Sequence, residues 1–180
     1  PATPMTTSPP LTTISLPEKP SKIPQIVHNG EVKFPSSGQV TKQTTLKNDE
    51  TGDTYLLSFG KKVKTAKGKP FTGTVKGPTA LAVGTLPSGK LSSKFSIIKA
   101  VEVMYSEIVK IGGLFQLKIM LPEGLTVDVK KNKKRFLVYY FNEKKGKWLK
   151  AGPAALSKDG KSVVVKTRKT GKFIVVEKKK

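Results

Sequence analysis

From residue 38 onward, apolar side chains recur at spacing two in short clusters broken by Gly, Pro, Asn and Asp, the pattern of β-strands separated by turns. Residues 54–59 (TYLLSF) form a short β-rich run closed by Gly60, and residues 71–75 alternate before Gly77-Pro78, which is expected to end them. Residues 94–104 and 114–121 carry β-branched or aromatic side chains at spacing two. Residues 135–141 (RFLVYYF) and 147–150 flank the segment 142–146, which predicts a hairpin. Residues 162–166 follow the turn Lys158-Asp159-Gly160, and residues 172–177 (KFIVVE) close the chain. The best helical window, 97–109, is too rich in β-branched residues and has no clear cap. About eight strands with short connections predict an all-β fold, an antiparallel β-sandwich. No repeat of fixed period appears.

The first 37 residues read differently. Eight of the 13 prolines fall at or before Pro35, among many Thr and Ser residues, a density that forbids helix and favours extended chain. Composition alone fits a linker. Yet Leu11, Thr12, Thr13, Ile14, Ser15 and Leu16, bounded by Pro10 and Pro17, form a strand-like run. Ile14 and Leu16 share one face of it and Thr13 and Ser15 the other. A second apolar stretch covers residues 23–27. The expected organisation is an extended arm over 1–37, a candidate donor strand, followed by a sandwich over 38–180.

Charge then narrows the choice of partner. Lys and Arg number 34 against 12 Asp and Glu, a net charge of +22, and residues 1–40 hold only three of those cations. Such an excess attracts anionic partners but specifies no fold. Only Arg135 and Arg168 are arginines, which argues against base-specific readout by guanidinium forks. The candidate anionic-polymer patch comprises Lys61, Lys62 and Lys64, then Lys130, Lys131, Lys133, Lys134 and Arg135, then Lys144, Lys145 and Lys147. The same runs are also what a solvated, solubilising surface looks like.

Candidate chemistry is sparse. With no cysteine and a single histidine, His28, thiolate metal sites and disulfides are excluded, and His-based triads are argued against. The acids are scattered, and no spacing selects a pair for glycoside hydrolysis. Residues 48–53 (NDETGD) have calcium-like oxygens but lack the spaced loop and its terminal Glu, so they read as a polar turn. No metal, no cofactor and no enzymatic activity is expected. No run approaches the ~18 apolar residues of a membrane-spanning helix. Pro1-Ala2-Thr3-Pro4 lacks a signal-peptide pattern, as in a mature chain after signal removal.

The C-terminal half carries a resemblance. Residues 121–128 (LPEGLTVD), 137–143 (LVYYFNE), 146–148 (GKW), 159–163 (DGKSV) and 171–176 (GKFIVV), with 68–75 (GKPFTGTV) and 100–103 (AVEV) before them, stand in an order that resembles the ZU5-like β-sandwich module of secreted and cell-surface proteins of bacteria and archaea. The likeness spans 39–178 and leaves the arm outside. It implies a sandwich and an extracellular or cell-surface location. Some relatives carry His-Phe-Ser before the last strand and cleave themselves; here Lys169-Thr170-Gly171 stands in that place, which implies a non-cleaving copy. Apart from the resemblance, Trp148 beside Tyr139 and Tyr140 reads as a core anchor.

These readings lead to an expected extracellular structural protein, a filament or surface subunit joined to other copies of itself by N-terminal strand donation. The alternative is a monomeric surface module that binds acidic glycan, cell-wall polymer or nucleic acid through its lysines.

Overall fold

The computed structural model describes residues 11–125 and 127–179. Fifteen strands, numbered in chain order, lie among them, and no α-helix. One sheet holds seven, in the order β1 (Thr12–Ser15), β3 (Gly30–Lys33), β7 (Thr74–Leu81), β8 (Phe95–Tyr105), β15 (Gly171–Lys178), β11 (Phe136–Asn142) and β12 (Lys147–Lys150). The second holds six: β13 (Ala154–Leu156), β14 (Ser162–Thr167), β10 (Phe115–Met120), β5 (Thr54–Leu57), β4 (Lys42–Lys47) and β2 (Ser21–His28). A two-stranded ribbon joins β6 (Val63–Thr65) to β9 (Val109–Ile111).

The inward faces of the two large sheets share one core. Alternation drives this: in β10, Phe115, Leu117 and Ile119 are buried while Gln116, Lys118 and Met120 face outward. Opposite them, Val101 and Val103 of β8, Phe173 and Val175 of β15, and Val138 and Tyr140 of β11 complete the layer. A smaller second core lies on the outer face of the seven-stranded sheet. There Trp148, Ala100, Ile174 and Val176 are covered by Leu81, Leu86, Leu91 and Phe95. Trp148 is buried and meets Phe141 edge to face at 5.2 Å, so it anchors this outer core rather than the space between the sheets.

Three expectations require correction. The sheets are mixed rather than strictly antiparallel, because β1 pairs with β3, and β2 with β4, in parallel. Strands number fifteen rather than about eight: besides the eight read from residue 54 onward there are β1 and β2 in the N-terminal segment, the three- or four-residue β3, β6, β9 and β13, and β4, whose sequence KQTTLK holds a single apolar residue. Nor does Gly77-Pro78 end a strand. β7 runs through it with a register shift between Lys76 and Thr79; a bulge is where a sheet tolerates a residue that lacks an N–H.

The N-terminal segment is built into both sheets. β1 lies at the edge of one and β2 at the edge of the other, and Leu16, Val27, Val32 and Phe34 belong to the main core. Packing continues across 37/38, where Gly38 N–H donates to the Pro35 carbonyl and Val40 N–H to that of Lys61. Residues 1–10, which hold four of the prolines, lie outside the described residues.

Candidate functional site

Strand β1 occupies a narrow seat. Its register runs from Thr12 opposite Gly30 to Ser15 opposite Lys33, and Leu16 N–H continues the ladder to the Lys33 carbonyl at 2.8 Å. Leu16 is 3% exposed and sits in the core, Ile14 is half-buried against it, and Thr13 and Ser15 face solvent. Thr13 donates its hydroxyl hydrogen to Glu31 at 2.8 Å. Leu11 is exposed and precedes the pairing. The seat demands glycine at position 30: a Cβ there would lie 2.5 Å from the Thr12 carbonyl oxygen and 2.9 Å from Val27 Cγ1. Between β1 and β2 the chain crosses from one sheet to the other through Pro17-Glu18-Lys19-Pro20. Thr41 donates to the Pro17 carbonyl, and Ser36 donates to Glu18 at 3.0 Å.

The basic runs do not converge into one patch. The loop bearing Lys130, Lys131, Lys133 and Lys134 lies before β11, whereas Lys144 and Lys145 lie on the turn after it, all exposed. A seven-residue strand separates the two groups by about 20 Å. Arg135 is committed to Glu177 at 2.5 Å and leans over the Phe136 ring. Lys147 is half-buried in β12, and its backbone forms an isolated β-bridge with Lys90. Lys62 and Lys64 are exposed on or beside β6.

Lys61, by contrast, joins a basic hollow that the pattern of charge along the chain does not reveal. The hollow, about 390 Å³, opens on the outer face of the six-stranded sheet, with Lys61, Lys166, Arg168, Gln116, Ser58 and Leu56 among its lining and no acid. Register assembles it: Gln116 stands between Leu56 on β5 and Lys166 on β14. The Lys61 stem lies over Gly113, where a Cβ would meet Lys61 Cδ at 2.4 Å. Lys166 and Arg168 escape notice in the sequence because they alternate with inward residues instead of forming a run. Their spacing of two at the end of a valine strand is the signal that could have found them.

The residues read as a polar turn divide their roles. Asp49 lies 2.9 Å from His28 Nδ1 and also accepts from Asn29. Asp53 is fully buried. Its Oδ1 accepts from Lys99 Nζ at 2.9 Å and from the Met120 N–H at 2.7 Å, and Lys99 Nζ also donates to the Met120 carbonyl at 2.9 Å. Asp53 Oδ2 is buried with no hydrogen-bond partner. The hydroxyls of Tyr55 and Tyr105 share a hydrogen bond of 2.9 Å. Burial holds both phenols well above their ordinary range; for Tyr105 the neighbouring Tyr55 adds to the effect. Both contacts tie β5, or the residue just before it, to β8 across the sandwich. Sequence offered no signal for either, since each joins residues about 50 positions apart.

No family model matches the chain, and comparisons with curated proteins and with solved structures find no match.

Proposed function

We propose that the chain is an extracellular, non-catalytic structural subunit that joins other copies of itself by donating β1 to the neighbouring subunit. The observation that carries this reading is the seat of β1. The strand pairs with a single neighbour, β3, at the edge of its sheet, and one side chain, Leu16, anchors it fully in the core. The crossing at 17–20 leads away from that seat to the opposite sheet. A strand held in this way can be exchanged. An isolated chain fills its own seat, and in an assembly the same seat takes the strand of the next copy with the same contacts. Backbone pairing supplies affinity and the Leu16 pocket specificity. Head-to-tail exchange is heterologous and propagates into a filament when it does not close. Edge strand β2 adds apolar surface for lateral contact, with Ile23 and Ile26 exposed by 71% and 57%. The ZU5-like resemblance supports a cell-surface setting.

Deleting residues 1–20 tests the reading. The truncated protein is expected to remain soluble and folded but to form no polymer by negative-stain microscopy, whereas the full chain polymerises. Filaments from the truncated chain would overturn it. The basic hollow favours a second reading, a surface module for anionic polymer, whose binding would weaken steeply with salt.

A further inference from the structure

We propose that Lys99 and Asp53 condense into an intramolecular amide, a covalent tie between the two sheets. The reacting groups already touch, with Nζ 2.9 Å from Oδ1. They are withdrawn from water: the Asp53 side chain is 0% exposed and that of Lys99 18%. Taking a carboxylate and an ammonium out of water is costly even when they pair, and here the pairing is incomplete. One carboxylate oxygen, Oδ2, has no partner.

The surrounding backbone suits amide formation better than it suits an ion pair. Met120 N–H donates to Oδ1 at 2.7 Å, where negative charge gathers as nitrogen adds to the carbonyl carbon. The Met120 carbonyl accepts from Nζ at 2.9 Å and orients it. Once the amide has formed, its oxygen keeps the Met120 N–H and its nitrogen hydrogen keeps the Met120 carbonyl. The oxygen that leaves is the one without a partner. Condensation therefore removes both buried charges and the unpaired acceptor, and every remaining polar atom is satisfied.

Atoms and charges balance within the pair. The ammonium passes one proton to Oδ2, giving a neutral amine and a neutral acid. Nζ then attacks Cγ, a small swing of its flexible stem, and the new N–C bond pushes charge onto Oδ1. Nζ yields a second proton to Oδ2, the Cγ–Oδ2 bond breaks, and water departs. One hydrogen stays on the amide nitrogen. Nothing is oxidised or reduced and no co-reactant is needed. Among the described residues no third carboxyl group hydrogen-bonds to the pair, so the proton moves within it and the reaction is a slow maturation after folding. Holding the groups together in one orientation supplies the driving advantage.

Intact-mass measurement on the aged full chain tests the proposal. The expected mass is one water below that of the sequence, with the Lys99→Arg variant at full mass, since a guanidinium keeps the charge but does not condense. Proteolysis of the aged wild-type chain should release a branched peptide that joins the Asp53 segment to the Lys99 segment, a readout that needs no variant. Full mass in the aged wild type would overturn the proposal. So would a water loss that persists in folded Lys99→Arg, because Asp159-Gly160 can lose water as a succinimide.

Discussion

Replacing Leu16 with Ala should loosen β1 without unfolding the sandwich. Leu16 is 3% exposed and packs into the main core, and Leu→Ala at such a site costs about 2–5 kcal/mol. Against this stands a thin attachment: four residues of parallel pairing and the Leu16 N–H bond to Lys33. Each hydrogen bond contributes about 1 kcal/mol net, while each ordered residue costs roughly 1–2 kcal/mol of backbone entropy. The two largely offset one another, so Leu16 decides whether the strand stays down. Losing about 2.8 kcal/mol from the opening equilibrium is a hundredfold change. Hydrogen exchange should therefore show the amide of residue 16 exchanging roughly 100-fold faster, as expected of a local opening, while the β10–β14 amides keep their protection. Equal loss of protection in β10–β14 would refute the reasoning, because β1 would then belong to the cooperative core. Unchanged exchange at residue 16 would refute it as well.

Other outcomes follow from the same geometry. Gly30→Ala should displace β1 with Leu16 intact, because its Cβ would stand 2.5 Å from the Thr12 carbonyl oxygen; exchange at residue 16 reports it, and strand-dependent polymerisation should fall with it. Tyr55→Phe or Tyr105→Phe alone leaves a covered hydroxyl unpaired and should cost about 1–3 kcal/mol by urea denaturation, whereas the double variant should cost less than the sum of the singles. The wild type should also lose stability as pH rises above 10.0, the ordinary tyrosine value: the unfolded phenols ionise there while the folded ones stay protonated, so the unfolded state binds fewer protons. The double Phe variant should flatten that decline. Reversing Lys166 and Arg168 to Glu should weaken binding to duplex DNA, used as a generic polyanion, and lower the salt slope by about 1 for each phosphate no longer neutralised; an unchanged slope would remove the hollow from consideration.

Several elements were legible because their signal is local. β10, β11 and β14 bury alternate residues along most of a six- or seven-residue run, and a two-residue period survives translation from sequence to sheet, whereas β15 buries Phe173 to Val176 in succession because the outer core covers its second face. The turns at Gly146 and Gly160 were equally readable, since each glycine adopts a positive φ that other residues resist. The face of β1 was legible too, with Ile14 and Leu16 on the covered side. Strands β6, β9 and β13 were not, since three residues cannot display a period, nor was β4, whose inward Thr44 and Leu46 give only one apolar side chain to the pattern.

By itself the sequence determined an all-β chain without cysteine, a strongly basic surface, and the alternation that tells strands such as β10 and β11 which side to bury. These are properties of neighbouring residues and of composition. Only the tertiary structure decided which strands lie side by side. It placed β1 and β2 parallel to their partners on opposite sheets, divided the lysine runs between distant positions, and gathered Lys61, Lys166 and Arg168 into one hollow. It also set Lys99 against Asp53, 46 positions apart, with Met120 supplying a donor and an acceptor. The reason is physical: pairing and register are fixed by burial of the whole core at once, and no local stretch of chain holds that information.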